Sequence, residues 1–205
     1  MDLLSEKDST IRDRIKYTIG LVCGHQKSSK FAEYLAWQVG IFPGNLQFID
    51  FRKKNHNKTA DDYDVEFKGI IGGITQNIVK PMKDLKGQNW GQGYFKTTSS
   101  DYTDDVMNET ADITIGDAWL PEYINDSYGN NIIIVRNHVL HEIITSAASK
   151  KKLNLTIVDK DKIFASQSAH FRHTHDELAY RLYLKDKKRD VANNDLADLP
   201  RSISG

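Results

Sequence analysis

Carboxylates stand on both sides of a short apolar segment in the middle of the chain. An acidic loop, residues 101–105, precedes the Ala-Asp-Ile-Thr-Ile segment at 111–115. Gly116 and Asp117 then form a turn that leads into Trp119. Charged side chains avoid burial unless they are paired or bound to a ligand. The sequence therefore predicts that this stretch lies at the edge of a pocket.

A strand–turn–helix unit near the N-terminus is a second candidate site. Residues 17–23 form an apolar run, Gly24 and His25 turn the chain, and Ser28 or Ser29 is suited to cap the following helix through its hydroxyl. The free N–H groups of a helix N-terminus attract phosphate or carboxylate, and Lys27 would add positive charge. The alternative is an ordinary capped βα unit, because the glycines match neither a P-loop nor a dinucleotide-binding fingerprint.

Basic and aromatic residues add two further candidates. Arg52 and Lys54 follow a predicted strand, where they either bind an anion or form a solvated surface. Trp90 is close to Gly91 and Gly93, a composition that lets backbone approach a flat ligand. This aromatic segment, residues 89–95, is also compatible with a packed loop.

Histidines cluster in the C-terminal part of the chain, at His170, His173 and His175. His170 and His173 would share one face of a helix, whereas His175 would point elsewhere. No acidic residue completes a known metal-binding spacing such as His-Glu-x-x-His. We therefore predict no metal site here.

Composition narrows the functional classes. The 205 residues carry 28 basic and 28 acidic side chains, so the chain has no net charge and no general basic character for binding nucleic acid. No apolar run reaches the length of a membrane span, and the N-terminus lacks the apolar core of a signal peptide. Cys23 is the single cysteine, which excludes an internal disulfide. These features predict a cytoplasmic protein.

Strands and helices alternate along the chain without strict βαβ regularity. This predicts an α/β (mixed α+β) fold, in which one mixed sheet is flanked by helices in a single domain. The domain is predicted at 17–188, after a polar lead-in at 1–16 and before a polar tail at 189–205. Strands are predicted at 46–52, 63–67, 74–79, 111–115, 131–136 (the central one) and 153–157, and helices from 28, over 138–149 and over 166–188.

Several segments resemble the coenzyme F-420 hydrogenase/dehydrogenase β-subunit family, in its C-terminal domain and its polysaccharide-cluster branch. Residues 20–28 (Gly-Leu-Val-Cys-Gly-His-Gln-Lys-Ser) and 50–54 (Asp-Phe-Arg-Lys-Lys) are similar to two of its segments. Residues 104–121, with the Ala-Asp-Ile-x-x-Gly-Asp-Ala-Trp core, resemble its C-terminal signature. Similarity extends over about 18–184.

The resemblance implies a flavoprotein that carries FAD and, in relatives, [4Fe–4S] clusters. The family pattern places Cys-x-x-Cys where this chain has Ser100 and Thr103. Hydroxyls stay protonated near neutral pH and are poor iron ligands, and Cys23 alone leaves three of four thiolates missing. A cluster is therefore not expected here, unless a partner subunit supplies it. The chain is similar to a C-terminal portion of such a protein or to a shortened relative.

Two main hypotheses of function follow. The first is a flavin-dependent oxidoreductase-like domain that acts on a flavin or small-molecule substrate, with no catalytic residue assigned and no metal. The second is a degenerate, non-catalytic binding or scaffold module linked to polysaccharide biosynthesis; a surface-polysaccharide transferase is a third reading, which rests on the branch resemblance alone. The predicted cofactor-binding residues are Cys23, Gly24, His25, Lys27, Ser28, Arg52, Lys54, Trp90, Asp104, Asp105, Gly116, Asp117 and Trp119, of which the three aspartates would orient loops or bind hydroxyl groups.

Overall fold

The computed structural model describes residues 8–197, apart from the side chains of Arg12 and of residues 189–197. The mixed α/β fold class is confirmed. The strands form two small sheets, and helices connect them along the chain. The strands are β1 (Ile19–Leu21), β2 (Leu46–Lys53), β3 (Asp64–Ile71), β4 (Ile74–Pro81), β5 (Ile113–Asp117) and β6 (Asn131–Val135). The helices are α1 (Ser9–Arg12), α2 (Ser29–Trp37), α3 (His138–Ser149), α4 (Lys160–Ser166), α5 (Ser168–Phe171) and α6 (Leu178–Ala197), with a π-helical segment at Arg172–Asp176.

The mixed sheet has the order β1-β5-β6. β1 pairs with β5 in parallel, and β5 pairs with β6 in antiparallel orientation. The prediction that residues 131–136 form the central strand was wrong, because β5 is central and β6 lies at an edge. Of the β6 side chains only Ile132 is buried, so an apolar run did not indicate burial on both faces here.

The second sheet is antiparallel, with the order β2-β3-β4. Its central strand alternates as the sequence predicted, since Val65 and Phe67 are fully buried. Phe31 and Leu35 of α2 are buried in the same core cluster, which positions the helix against this sheet. Gly72 and Gly73, both at positive φ, form the tight turn between β3 and β4.

The region after β6 departs most from the predicted elements. Residues 153–157 form no strand, and Ile157 is fully exposed, because no neighbouring strand edge pairs with this alternating segment. The single helix predicted over 166–188 was also wrong: the chain turns at Gln167 and passes through the π-helical segment before α6. Leu182, in α6, is 42% exposed.

The two ends of the chain extend beyond the predicted domain. α6 continues to Ala197, past the predicted start of the tail at 189. The first seven residues of the lead-in and residues 198–205 of the tail lie outside the described residues. None of the helices within residues 8–197 is long and apolar enough to cross a membrane.

Helix α3 is present as predicted, and it begins where Asn137 caps it. The Asn137 side-chain oxygen accepts hydrogen bonds from the N–H groups of Val139 and Leu140, at 3.0 and 3.3 Å. However, none of its residues is fully buried, and Ile143 is 57% exposed. The apolar face of this helix is thus only partly covered by the described part of the chain.

Candidate functional site

A cleft of about 1090 Å³ lies where the two sheets approach each other. The loop after β1 supplies one wall, and Phe48 to Arg52 of β2 supply another. Asp117 and Trp119 enter from the end of β5, while Trp90 enters from the aromatic segment. Clefts of this size, with several aromatic groups and a few convergent polar ones, are typical of sites for small molecules and cofactors.

An ion pair between the two sheets crosses this cleft. The guanidinium of Arg52, on β2, donates to the carboxylate of Asp117, at the end of β5. The same guanidinium lies 5.1 Å from the ring centroid of Trp119 and 5.5 Å from that of Tyr63. Gln167 donates through Nε2 to the backbone oxygen of Asp117 at 2.5 Å. Arg52 is therefore held by a carboxylate and two aromatic faces at once.

The Trp90 indole forms an aromatic side of the cleft, and core residues hold it in place. Phe31 and Phe51 pack edge-on against it, with ring centroids 5.2 and 5.9 Å away. The ammonium of Lys27 lies 5.3 Å from the Trp90 centroid and donates to the Tyr94 backbone oxygen at 2.7 Å. Burial and, secondarily, the neighbouring Lys96 charge lower the pKa of Lys27. Lys27 thus supports the tryptophan and is not part of the cleft lining.

Two neutral histidines line the same cleft. Burial, together with the charges of Lys27 and Lys96, lowers the pKa of His25 to about 4. Burial is also the main cause that lowers the pKa of His170, with smaller contributions from His173 and Arg52 that outweigh the opposing effect of the Asp117 carboxylate. His25 Nε2 and His170 Nδ1 are buried, and neither has a hydrogen-bond partner within the described part of the chain. Both rings are therefore uncharged near neutral pH.

Gly24 lets these elements come close together. A Cβ at Gly24 would lie 2.7 Å from Cδ2 of His170, closer than real Cβ contacts occur. The glycine is buried beneath the histidine ring. The absence of a side chain at position 24 is thus required for α5 to pack against the loop after β1.

Cys23 is exposed at the cleft, and its thiol donates weakly to the His25 backbone oxygen at 3.4 Å. The Ser100 hydroxyl oxygen accepts a hydrogen bond from the Gln26 N–H at 2.7 Å. Thr103, by contrast, is exposed. Among residues 8–197, no group of three or more His, Cys, Asp or Glu side chains is arranged to hold a metal ion.

The cleft brings together seven of the residues that the sequence singled out: Cys23, Gly24, His25, Arg52, Trp90, Asp117 and Trp119. Others fall outside its lining. Asp105 accepts from the Glu109 N–H at 3.0 Å, the Asp104 backbone oxygen lies 2.8 Å from His175 Nε2, and Gly116 packs against Val22. Lys54 lines a second, adjacent cavity. The binding roles assigned to all of these residues stay predictions.

Ser28 begins helix α2 as the N-cap residue, but the predicted hydroxyl cap was wrong. Its side chain makes no capping hydrogen bond. Its N–H donates instead to the Phe95 backbone oxygen at 2.8 Å. The helix start is thus fixed by pairing with the aromatic segment rather than by the serine hydroxyl.

Sequence reasoning missed cleft residues that come from distant parts of the chain. His170 was considered only for metal binding, yet its ring lines the cleft beside Gly24. Tyr63 was assigned only to a strand and Asp61 to no site, yet both line the cleft, and Asp61 is exposed there. No local signal identifies such residues, because their proximity depends on how the two sheets meet.

One family model matches most of the chain. The comparison with curated proteins finds no match. Residues 1–161 match the family model that describes the C terminus of the beta subunit of coenzyme F420 hydrogenase/dehydrogenase. The match includes β1 to β6 and α3, and so all of the cleft residues except His170. The chain belongs to this family, the C-terminal domain of coenzyme F420 hydrogenase/dehydrogenase β subunits.

Proposed function

We propose that this chain is a flavin-binding, oxidoreductase-like domain that holds the flavin ring in the cleft between the two sheets. The observation that supports this most directly is the joint lining of one cleft by Trp90, Trp119 and the Arg52–Asp117 ion pair. Flat aromatic walls favour a planar ring, and the ion pair and buried histidines offer polar groups beside them. Membership of a family of hydrogenase and dehydrogenase subunits adds to this support.

The residues present fit the ring of FAD better than its phosphates. Trp90 and Trp119 would bind the ring, and Arg52 is placed to contact its polar atoms. The predicted phosphate site at the start of α2 is less favourable, because the Lys27 ammonium and the Ser28 N–H are already paired with backbone oxygens. Lys54 makes no ion pair within the described residues and remains a basic side chain close to the cleft.

When bound, the flavin would supply the hydride or electron chemistry. The chain's own residues would bind and orient it. Arg52 is held in one position by Asp117, so its charge would stay fixed beside the ring. Neutral His25 and His170 would keep positive charge away from the buried side of the cleft at neutral pH. No residue is assigned a proton-transfer step.

A titration of the purified chain with FAD tests this proposal. Binding should quench flavin fluorescence. Trp119→Ala and Trp90→Ala should each lower the affinity for FAD by about tenfold, a typical loss for one aromatic stacking partner. Trp37→Ala is the matched control, since Trp37 is 55% exposed on α2 and does not line the cleft. Failure of the wild-type chain to bind FAD at all would contradict the proposal.

We further propose that this chain alone binds no [4Fe–4S] cluster. One thiol, Cys23, faces the cleft, while Ser100 stands at a position where relatives have a cluster-binding cysteine. A partner subunit would then carry any cluster. An iron assay on the purified chain should find far less than stoichiometric iron, and about four irons per chain would contradict this part of the proposal.

The absence of a second thiol beside Cys23 also favours a second candidate, a binding or scaffold module that has lost redox activity and serves polysaccharide biosynthesis in the cytoplasm. This candidate predicts that the purified protein is colourless and does not bind added FAD, although the cleft is present. The FAD titration separates the two candidates directly. Flavin binding supports the first, and its absence in a correctly folded chain supports the second.

A further inference from the structure

A second cavity, of about 470 Å³, lies next to the flavin cleft. Its lining is mainly apolar and comes from the segment that follows β5. Leu120, Pro121, Tyr123 and Ile124 are among the apolar residues that line it. The cavity is large enough for a molecule of one or two fused rings.

Trp119 separates this cavity from the cleft. Trp119 and Asp117 line both spaces, whereas Arg52 lines the cleft alone. The Arg52 guanidinium lies over the indole at 5.1 Å, on the cleft side. The indole therefore also offers apolar surface to the second cavity.

The second cavity has one basic group, the Lys54 ammonium. The two basic residues that precede it are both paired. Arg52 pairs with Asp117, and Lys53 pairs with Glu66 at 2.5 Å. Lys54 has no such carboxylate partner within residues 8–197, and its Nζ lies beside Gly129 at the cavity. Lys54 is thus free to pair with an acidic group on a ligand.

The acidic groups of the cavity leave this charge available. Asp117 is neutralised by Arg52. Asp61 lines both the cavity and the cleft, and its exposed carboxylate accepts a hydrogen bond from the Thr59 hydroxyl at 2.7 Å. Lys54 and the apolar surface therefore set the chemistry of the ligand, an apolar ring with one negative charge.

We propose that this cavity is a second small-molecule site, which binds an aromatic monoanion with its ring against Trp119 and its acidic group on Lys54. The site lies beyond the flavin cleft and does not depend on which ligand occupies that cleft. A molecule bound here would lie next to the cleft, since Asp61, Asp117 and Trp119 line both spaces.

The test uses 2-naphthoate as the probe and neutral 2-naphthamide as its uncharged counterpart. Isothermal titration of the full chain should show that 2-naphthoate binds and that the amide binds about fivefold more weakly, the upper range for one exposed ion pair. Lys54→Ala should weaken 2-naphthoate by a similar factor and leave the amide unchanged. Lys80→Ala, an exposed lysine of β4 outside both spaces, is the matched control and should change neither.

A second measurement locates the bound probe. In ¹H–¹⁵N spectra, 2-naphthoate should shift the amide signals of Trp119, Leu120, Tyr123, Ile124 and Gly129. Shifts confined to the exposed apolar surface of α3, equal affinity for acid and amide, or no binding at millimolar concentration would each overturn the proposal. FAD binding, measured separately on the same protein, reports on the cleft, so that failure of one site is distinguished from failure of the other.

Discussion

Arg52 and Asp117 form an ion pair that joins the antiparallel sheet to the mixed sheet. The two side chains are 40% and 43% exposed, so solvent screens much of their attraction. Their main effect is therefore positional. Asp117 holds the Arg52 guanidinium over the Trp119 ring, at the point where the cleft is bounded by both sheets.

Replacing Asp117 with Asn removes the charge and keeps the shape of the side chain. The free energy of unfolding should fall by less than about 1 kcal/mol, as for other exposed ion pairs, while FAD affinity should fall about fivefold because Arg52 is no longer held. Urea unfolding and FAD titration measure the two effects. Asp84→Asn is the control, since Asp84 is exposed outside the cleft; Asp61 is unsuitable because it lines the cleft. A large loss of stability with unchanged FAD affinity would show that the pair is structural.

The stability of the protein should fall as pH drops through the range in which histidine titrates. His25 has its pKa lowered to about 4 in the folded chain, against 6.5 for the free side chain. Between these values the unfolded chain binds a proton that the folded chain does not, so unfolding becomes more favourable with decreasing pH. The loss is less than about 3 kcal/mol between pH 6.5 and pH 4, because solvent around the half-buried ring screens part of the effect, and it then levels off. His170 contributes in the same direction.

His25→Gln tests the origin of this slope. Chemical unfolding at several pH values should give a flatter dependence for the variant, above all between pH 6.5 and 5. Carboxylates with lowered pKa, such as Asp64 and Asp112, act only at lower pH, because the stability that they contribute is lost below the ordinary aspartate pKa of 3.8. His141→Gln is the control, because His141 is exposed on α3. An unchanged slope in His25→Gln would show that His25 is not the titrating group.

Local patterns predicted the strands whose pairing partners are close in sequence and the helix whose apolar residues repeat with helical spacing. The alternation around Val65 and Phe67 gave β3, and the Gly72-Gly73 turn gave its pairing with β4. The apolar periodicity of residues 138–149 gave α3, although the Asn137 cap was not predicted. In each case the information lies within a few residues, where hydrogen bonds and side-chain spacing act directly.

The errors concern interactions that no local pattern contains. Residues 153–157 alternate as a strand should, but no sheet edge is available to pair with them. β6 was judged central from its apolar content, although strand order depends on the whole topology. Likewise the cleft depends on Arg52 meeting Asp117 across 65 residues of chain, and the sequence could predict each residue as interesting but not their contact.

Gly24→Ala should disturb the cleft by steric conflict. The new methyl group would lie 2.7 Å from Cδ2 and 2.9 Å from Cγ of His170, so either the ring or the loop after β1 must move. Overpacking of this kind costs about 1–3 kcal/mol. Thermal and urea unfolding should show the loss, and FAD binding should weaken with it.

The double variant Gly24→Ala/His170→Ala gives the decisive comparison. Removing the imidazole takes away the two ring atoms that the new methyl group would meet, so the double variant should lose less stability than the sum of the two single variants. Strict additivity would indicate that the methyl group is accommodated without contact with His170, contrary to the packing described above.

Cys23 provides a direct probe of what occupies the cleft. It is the only cysteine in the chain, and its thiol is exposed at the cleft wall. If FAD binds there, the rate of alkylation by iodoacetamide should fall about tenfold when FAD is present at ten times its Kd, because only the unbound fraction reacts. Mass spectrometry of timed samples measures this rate.

ADP, which lacks the flavin ring, should protect far less, and Trp119→Ala should require more FAD for the same protection. Alkylation at an undiminished rate, with FAD binding verified by fluorescence in the same sample, would place the flavin away from Cys23 and outside this cleft.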